Sequence, residues 1–204
     1  MNWIPLIGVV LFVGLGMGWR SWLQRRRHGS SGIVLFRSGD LAQHVREAGI
    51  LVLVPLLAAE AIACAVAPGS LERFRIAPST PMMQGLGAIV LFAGVALMVV
   101  AQLELGASWR IGIEQDARPG LVARGLYRFC RNPIFLAMLA VLLGFALLVP
   151  TWPSVVALLG TYVGIRGAIG AEERYLLRAY GGHYAAYAAR VGRFVPHVGR
   201  LAVR

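Results

Sequence analysis

The chain contains no lysine: all 20 of its basic residues are arginine, set against nine acidic residues. Charge of both signs together makes up only 14% of the sequence, where a soluble domain of ordinary composition carries roughly 25%. That shortage argues against an ordinary soluble domain. Cysteine is scarce too. Cys64 and Cys130 make no CxxC pair and no ligand spacing with His28, His44, His183 or His197, so neither a disulfide framework nor a metal site is expected. There is no internal repeat and no low-complexity tract.

Apolar residues are abundant: they make up 58% of the chain, and the mean hydropathy is +0.69. They fall in long uncharged runs, which is the pattern of a membrane protein. The first run is Trp3 to Trp19, the second Ala48 to Pro68 with Glu60 as its one charge, and the third Met82 to Leu103. Each of the last two is about the 20 residues that a helix needs to cross ~30 Å of hydrocarbon. The fourth run, Pro133 to Ile165, has 33 uncharged residues and is too long for one ordinary span. Pro150 and Pro153, around Thr151 and Trp152, split it. A helical hairpin with two short arms is expected, either crossing with little tilt or re-entrant.

The net charge of +11 suggests nucleic acid at first sight, but the placement of the arginines argues otherwise. They lie between the apolar runs, and Arg20 and Arg25-Arg26-Arg27 follow the first run rather than precede it. A cleaved leader would have the reverse order. With the N-terminus outside, 18 of the 20 arginines face the cytoplasm, which is the distribution that inner-membrane proteins adopt. The expectation is therefore an all-α polytopic bundle in the inner cell membrane, of about five spans, with the N-terminus out and a cytoplasmic C-terminal region. Its partners are the lipid bilayer and a small lipophilic substrate, and not nucleic acid. Residues 1–105 supply three helices and their loops, and residues 106–204 the functional core. The stretch Val34 to Val45 is amphipathic and suited to the membrane surface.

Two polar segments flank the hairpin, and a hairpin brings its ends together. The first runs from Gly106 to Pro133 and the second from Arg166 to Pro196. Asn132 precedes Pro133, so it should be extended and stand at the N-cap of the next helix. A helix from about Gly164 should carry Glu172 and Glu173 beyond the bilayer and stop at Gly181-Gly182. Two adjacent acids in so acid-poor a chain, opposite arginines, suit a cationic ligand or ion pairs. A solvated helix face is the other reading.

The run from Gly120 to Tyr127, followed by Arg131-Asn132-Pro133-Ile134-Phe135, resembles the isoprenylcysteine carboxyl methyltransferase and phospholipid methyltransferase superfamily. Glu172-Glu173, Gly181, Tyr184, Tyr187, Arg190-Val191 and Pro196 fit the tail of the same superfamily. The resemblance covers roughly residues 106–197. It implies an S-adenosyl-L-methionine-dependent methyltransferase with its cofactor between the two polar segments, roofed by the tail. Carried onto this sequence, the cofactor-binding residues are Gly120, Leu121, Val122, Tyr127, Asn132, Pro133, Ile134, Phe135 and Glu172. Arg131 and Glu173 become the catalytic candidates and Arg166 the substrate-binding one, with no metal. Two positions depart from the prenylcysteine enzymes: Asn132 stands where they have histidine, and Ala168 where they have an arginine. The acceptor thus stays open among a prenylcysteine-like carboxylate, a lipid, a thiol and an amine. An NADPH-dependent sterol-reductase-like enzyme and a non-catalytic scaffold are the rival readings.

The arginine distribution makes a topological prediction. In a background with Cys64 and Cys130 replaced by alanine, cysteines at Ser70 or Thr80 should react with an impermeant thiol reagent from outside. Cysteines at Ser30 or Ala186 should react only after permeabilisation. The reverse pattern overturns the N-out orientation.

Overall fold

A computed structural model describes residues 2–37, 40–112 and 120–201. The described residues form helices, short turns and isolated bridges, with no strand among them. The first apolar run is helix α1 (Ile4–Val13), which continues through a π-helical turn (Gly14–Trp19) into α2 (Arg20–His28). Next come α3 (Leu41–Val66), α4 (Pro81–Leu105), α5 (Pro133–Leu148), α6 (Trp152–Tyr180) and the short α7 (Gly182–Arg190). Four helices are long and apolar enough to cross a membrane: Ile4–His28, Leu41–Val66, Pro81–Ser108 and Trp152–Tyr180; α5 is shorter.

Small residues set how closely the helices pack. Helices α4 and α5 run antiparallel, with Gly87 against Gly144, and Gly94 against Ala137 and Val141. A methyl group on Gly144 would stand 2.4 Å from Leu91 N and 2.7 Å from Gly87 O. Such close backbone approach is how membrane helices gain contact when lipid is as apolar as their side chains. In the π-helical turn that follows α1, Gly16 leaves room for a side chain instead, since a Cβ there would meet Met98 Cε at 2.5 Å. Around these seams Phe12, Leu57, Leu91, Met98, Val141 and Phe145 form one buried core. Outward-facing Leu51, Val52, Val156, Leu159 and Val163 leave an apolar surface of the kind that lipid covers.

The two ends of the bundle differ. At one end Asn2, Pro5, Cys64, Ser79, Gln84 and the turn Leu148–Thr151 surround one cavity, which places the α5–α6 turn beside the N-terminus and the start of α4. Thr151 caps α6 by accepting from Ser154 N, and its hydroxyl bonds the buried carboxylate of Glu60. At the other end the buried Arg20 donates to the carbonyls of Gln102 (3.4 Å) and Gly106 (2.7 Å). Its guanidinium also lies 4.6 Å from the Trp109 ring centroid. These carbonyls belong to the open C-terminal end of α4, where a cation is favoured.

Three sequence expectations change. The second hairpin arm and the polar exit helix are one helix, α6, 29 residues long, because no proline or cap interrupts the chain near Gly164. Helix α3 begins at Leu41, capped by Asp40, and not at Ala48. The surface stretch Val34 to Val45 is not one element. Val34 N donates to Ile111 O (2.9 Å) and Ile111 N to Gly32 O (2.8 Å), while the buried Glu47 receives Phe36 N at 2.6 Å. Backbone pairing with residue 111 satisfies groups that a lone interfacial helix would have satisfied internally.

Gly144→Ala should destabilise the purified protein by about 1–3 kcal/mol through overpacking, read as a lower unfolding midpoint in detergent. Gly160→Ala, with no atom within 4 Å of its Cβ position, should leave the midpoint nearly unchanged. Equal effects at both positions would remove the α4–α5 glycine seam as the limiting contact.

Candidate active site

The polar end of the bundle is organised around a carboxylate. Glu173 faces inward from α6 and is 7% exposed. Its Oε1 meets Arg131 Nη1 at 2.8 Å, and its Oε2 meets Arg193 Nη2 at 2.7 Å. Arg193 Nε adds a bond to Oε1 at 2.9 Å, so its guanidinium grips both oxygens. Arg131 comes from the segment before α5 and Arg193 from the tail after α7. One residue on α6 thus ties down two segments that are distant in sequence.

Backbone contacts complete the junction. Cys130 pairs with Gly192 as an isolated parallel bridge. Arg131 N donates to Gly192 O at 2.9 Å and Asn132 N to Arg193 O at 3.1 Å. Arg131 Nη2 reaches Gly199 O at 2.6 Å, and its Nη1 donates to the Tyr184 hydroxyl at 3.3 Å. The buried Arg131 Nε has no protein acceptor among the described residues. The tail turn is tight: a Cβ at Gly192 would stand 1.9 Å from Val195 O, so that position admits only glycine.

An aromatic layer lies beside the ion cluster. Tyr184, Tyr187, Ala188 and Val191 are buried together, with Leu121, Leu176, Tyr180 and Leu201 packed on them. Tyr187 donates its hydroxyl to Tyr127 O at 2.6 Å. Tyr127 is itself buried, with its hydroxyl 3.4 Å from Ala101 O. Burial raises the pKa of Tyr127, Tyr184 and Tyr187 above the usual phenol value. The carboxylate of Glu172 lies near enough to oppose ionisation of all three. The Cys130 thiol is pushed up by burial, against the opposing pull of the Asn132 N–H and Arg131. The hydrogen bond to Glu173 raises the Arg193 pKa, so this guanidinium stays charged.

Glu104, at the end of α4, shapes the approach to Tyr127. Its Oε2 accepts from Leu126 N at 2.7 Å. Gly125 stands at φ +58°, and a Cβ there would be 2.2 Å from Glu104 Oε1. The positive φ favours glycine there, and a larger residue would also push the Glu104 carboxylate off Leu126 N.

The structure gathers most of the sequence candidates here. Arg131, Asn132, Glu173 and Tyr127 belong to the junction, Leu121 packs on its aromatic layer, and Glu172 is half-buried beside it. Pro133 is buried at the start of α5, and Ile134 and Phe135 are half-buried behind it. Val122 is half-buried; Gly120 is exposed and accepts Ser108 Oγ at 3.2 Å. Arg166 stands apart, exposed on α6 about two turns before Glu173. Glu114 lies outside the described residues. Asn132 is at the N-cap position as expected, but its side chain does not cap the helix. Its amide donates to Arg193 O at 3.1 Å instead. The contributions of Arg193, Glu104 and Arg20 escape a motif reading. Each acts on a partner that is near only in the fold, and the one sequence signal is the scarcity of acids for the arginines to meet.

Helices long enough to span a bilayer, closed at one end by a buried polar junction, define a polytopic integral membrane protein. The chain belongs to the phospholipid methyltransferase family, whose pattern matches residues 82–183, from the start of α4 to the start of α7. It is accordingly a membrane methyltransferase. Among solved structures, it is similar to that of the eukaryotic intramembrane Ras methyltransferase, isoprenylcysteine carboxyl methyltransferase. The TM-score is 0.55 at 14% identity, over 98% of this chain and 99% of that one. At this identity the likeness establishes the fold. No curated protein sequence matches significantly.

Glu173→Gln leaves the buried Arg131 and the half-buried Arg193 without their counter-charge, and breaking a buried pair from one side costs about 3–5 kcal/mol. The unfolding midpoint should fall clearly, and trypsin should cut faster after Arg193 and Arg200. Glu72→Gln, in the exposed Arg75–Glu72 pair (2.8 Å), should change stability by about 1 kcal/mol or less. Comparable losses would show that Glu173 does not hold the junction.

Proposed function

We propose that the protein transfers a methyl group from S-adenosyl-L-methionine to a lipophilic acceptor, at a site between the start of α5 and the end of α6. The observation that carries this reading is the convergence of Glu172, Tyr127, Asn132 and the arginine-bound tail at one end of a family-matched bundle. Residues 106–204 would carry the chemistry. The distribution of arginines supports a site facing the cytoplasm from the inner cell membrane.

The residues present fit this donor. Glu172 would hold a cationic centre, by charge and hydrogen bond. Tyr127, Leu121, Val122, Ile134 and Phe135 offer aromatic and apolar surface for adenine, and Gly120 and Pro133 leave backbone room. The unpaired, buried Arg131 Nε suits the donor's carboxylate, since a buried N–H without an acceptor is costly. The bound donor would supply an electrophilic sulfonium methyl. The chain's own part is to align the acceptor with that methyl and to keep water out. The neutral tyrosine layer and the docked tail serve the second task. Glu173 is fully engaged by arginines, so its contribution is to hold this arrangement.

The acceptor would come from the bilayer side, because the surface around α3 and α6 is apolar. Arg166, exposed on α6, is the cation placed to meet an anionic group on it. The departures at Asn132 and Ala168 weigh against a prenylcysteine carboxylate, since Asn132 is occupied with the tail.

Isothermal titration in detergent should show binding of S-adenosylmethionine and its demethylated product but not of NADPH. Glu172→Gln should weaken that binding roughly ten- to a hundredfold, the equivalent of a lost charge-assisted bond of about 1.5–3 kcal/mol. Asn132→Ala and Tyr127→Phe should weaken it less, and Glu114→Gln should bind as wild type. Unchanged affinity in folded Glu172→Gln would remove this carboxylate from the donor site.

A further inference from the structure

We propose that Arg193 is the positioning residue that joins the two halves of the donor site. The proposal rests on the assignment of that site to S-adenosylmethionine. Arg193 acts at both of its ends. Its guanidinium takes both oxygens of Glu173, at 2.9 and 2.7 Å. Its carbonyl accepts Asn132 N at 3.1 Å, Asn132 Nδ2 at 3.1 Å and Cys130 Sγ at 3.4 Å. Its own N–H donates to Val198 O at 2.9 Å, and the close approach at Gly192 fixes the turn that presents it.

These two ends meet the two halves of the site. Glu173 adjoins Glu172 on α6, and Asn132 adjoins Pro133, Ile134 and Phe135 at the start of α5. Arg131 alone binds one oxygen of Glu173, Oε1 at 2.8 Å. A single bond lets a carboxylate swivel, whereas a planar two-bond fork fixes its orientation. Held at both oxygens, Glu173 restrains α6 against turning about its axis at this end. A turn of about 20° would move a carboxylate tip ~5–6 Å from the axis by about 2 Å. Displacements of about 1 Å at a reacting centre already cost on the order of a hundredfold. Arg193 touches neither reacting atom; it fixes where Glu172 and Asn132 stand relative to each other.

The test is titration of S-adenosylhomocysteine into detergent-purified wild type, Arg193→Lys, Arg193→Gln, Glu173→Gln and Arg193→Gln/Glu173→Gln, with unfolding temperature measured in parallel. Arg193→Gln should raise Kd about tenfold with stoichiometry still about one per chain. Arg193→Lys keeps the charge but not the fork, and should fall between it and wild type. The double variant should bind no more weakly than the weaker single variant, because Arg193 acts through Glu173. A purely structural role would lower the unfolding temperature and the stoichiometry but leave the Kd of the surviving sites unchanged, and that result overturns the proposal. Additive losses in the double variant overturn it as well. Should Arg193→Gln fail to fold, Arg193→Lys decides: a Kd equal to wild type overturns the proposal. Wild type that binds neither S-adenosylmethionine nor S-adenosylhomocysteine overturns the donor assignment and this inference together, whereas wild-type binding with unaffected variants overturns this inference alone.

Discussion

A carboxylate removed from water must be paired, or the fold loses several kcal/mol. Glu173 imposes that condition on the polar end of this protein. Helix α6 carries it to an inward position that is 7% exposed. The cations that answer it arrive from the segment before α5 and from the tail. Once they are in place, the tail backbone lies beside Cys130–Asn132 and the tyrosines of α7 close over Leu121. Removing the pairing would release all of these contacts together, which is the sense in which the junction is one unit.

That unit works only if α5 and α6 are delivered to it in a fixed register. The glycine contacts between α4 and α5 set the register of the first. The α5–α6 turn sets that of the second, since Thr151 caps α6 and also bonds Glu60 on α3. Arg20 makes a comparable tie at the polar end, closing the last carbonyls of α4 against the first helix. Polar side chains inside this membrane bundle are few, and those buried are spent on helix ends and junctions. In a medium that offers no competing hydrogen bonds, such contacts hold well-defined geometry.

For a membrane methyltransferase this division of labour has a chemical purpose. The apolar bundle meets the bilayer, while the polar junction keeps charged and aromatic groups in fixed relation at one end. The proposed donor site would lie at that junction. Asn132 stands at the start of α5 with its amide bound to the tail carbonyl of Arg193.

The sequence by itself determined the helical membrane class, the proline-marked break at Val149–Pro153 and the motif segments, because hydrophobic run length, proline and local spacing are properties of neighbours along the chain. It also located the stop of α6 at Gly181, where φ is +51°, a conformation that glycine adopts freely. It could not show that the second hairpin arm and the exit helix are one helix, since a polar stretch does not end a helix unless a cap or proline does. Nor could it assign partners to Glu173. Any of many arginines could have met it along the chain, and only the antiparallel packing of α4 on α5 and the return of the tail chose Arg131 and Arg193. Pairing between segments some 40 and 20 residues apart is decided by packing that no local pattern encodes.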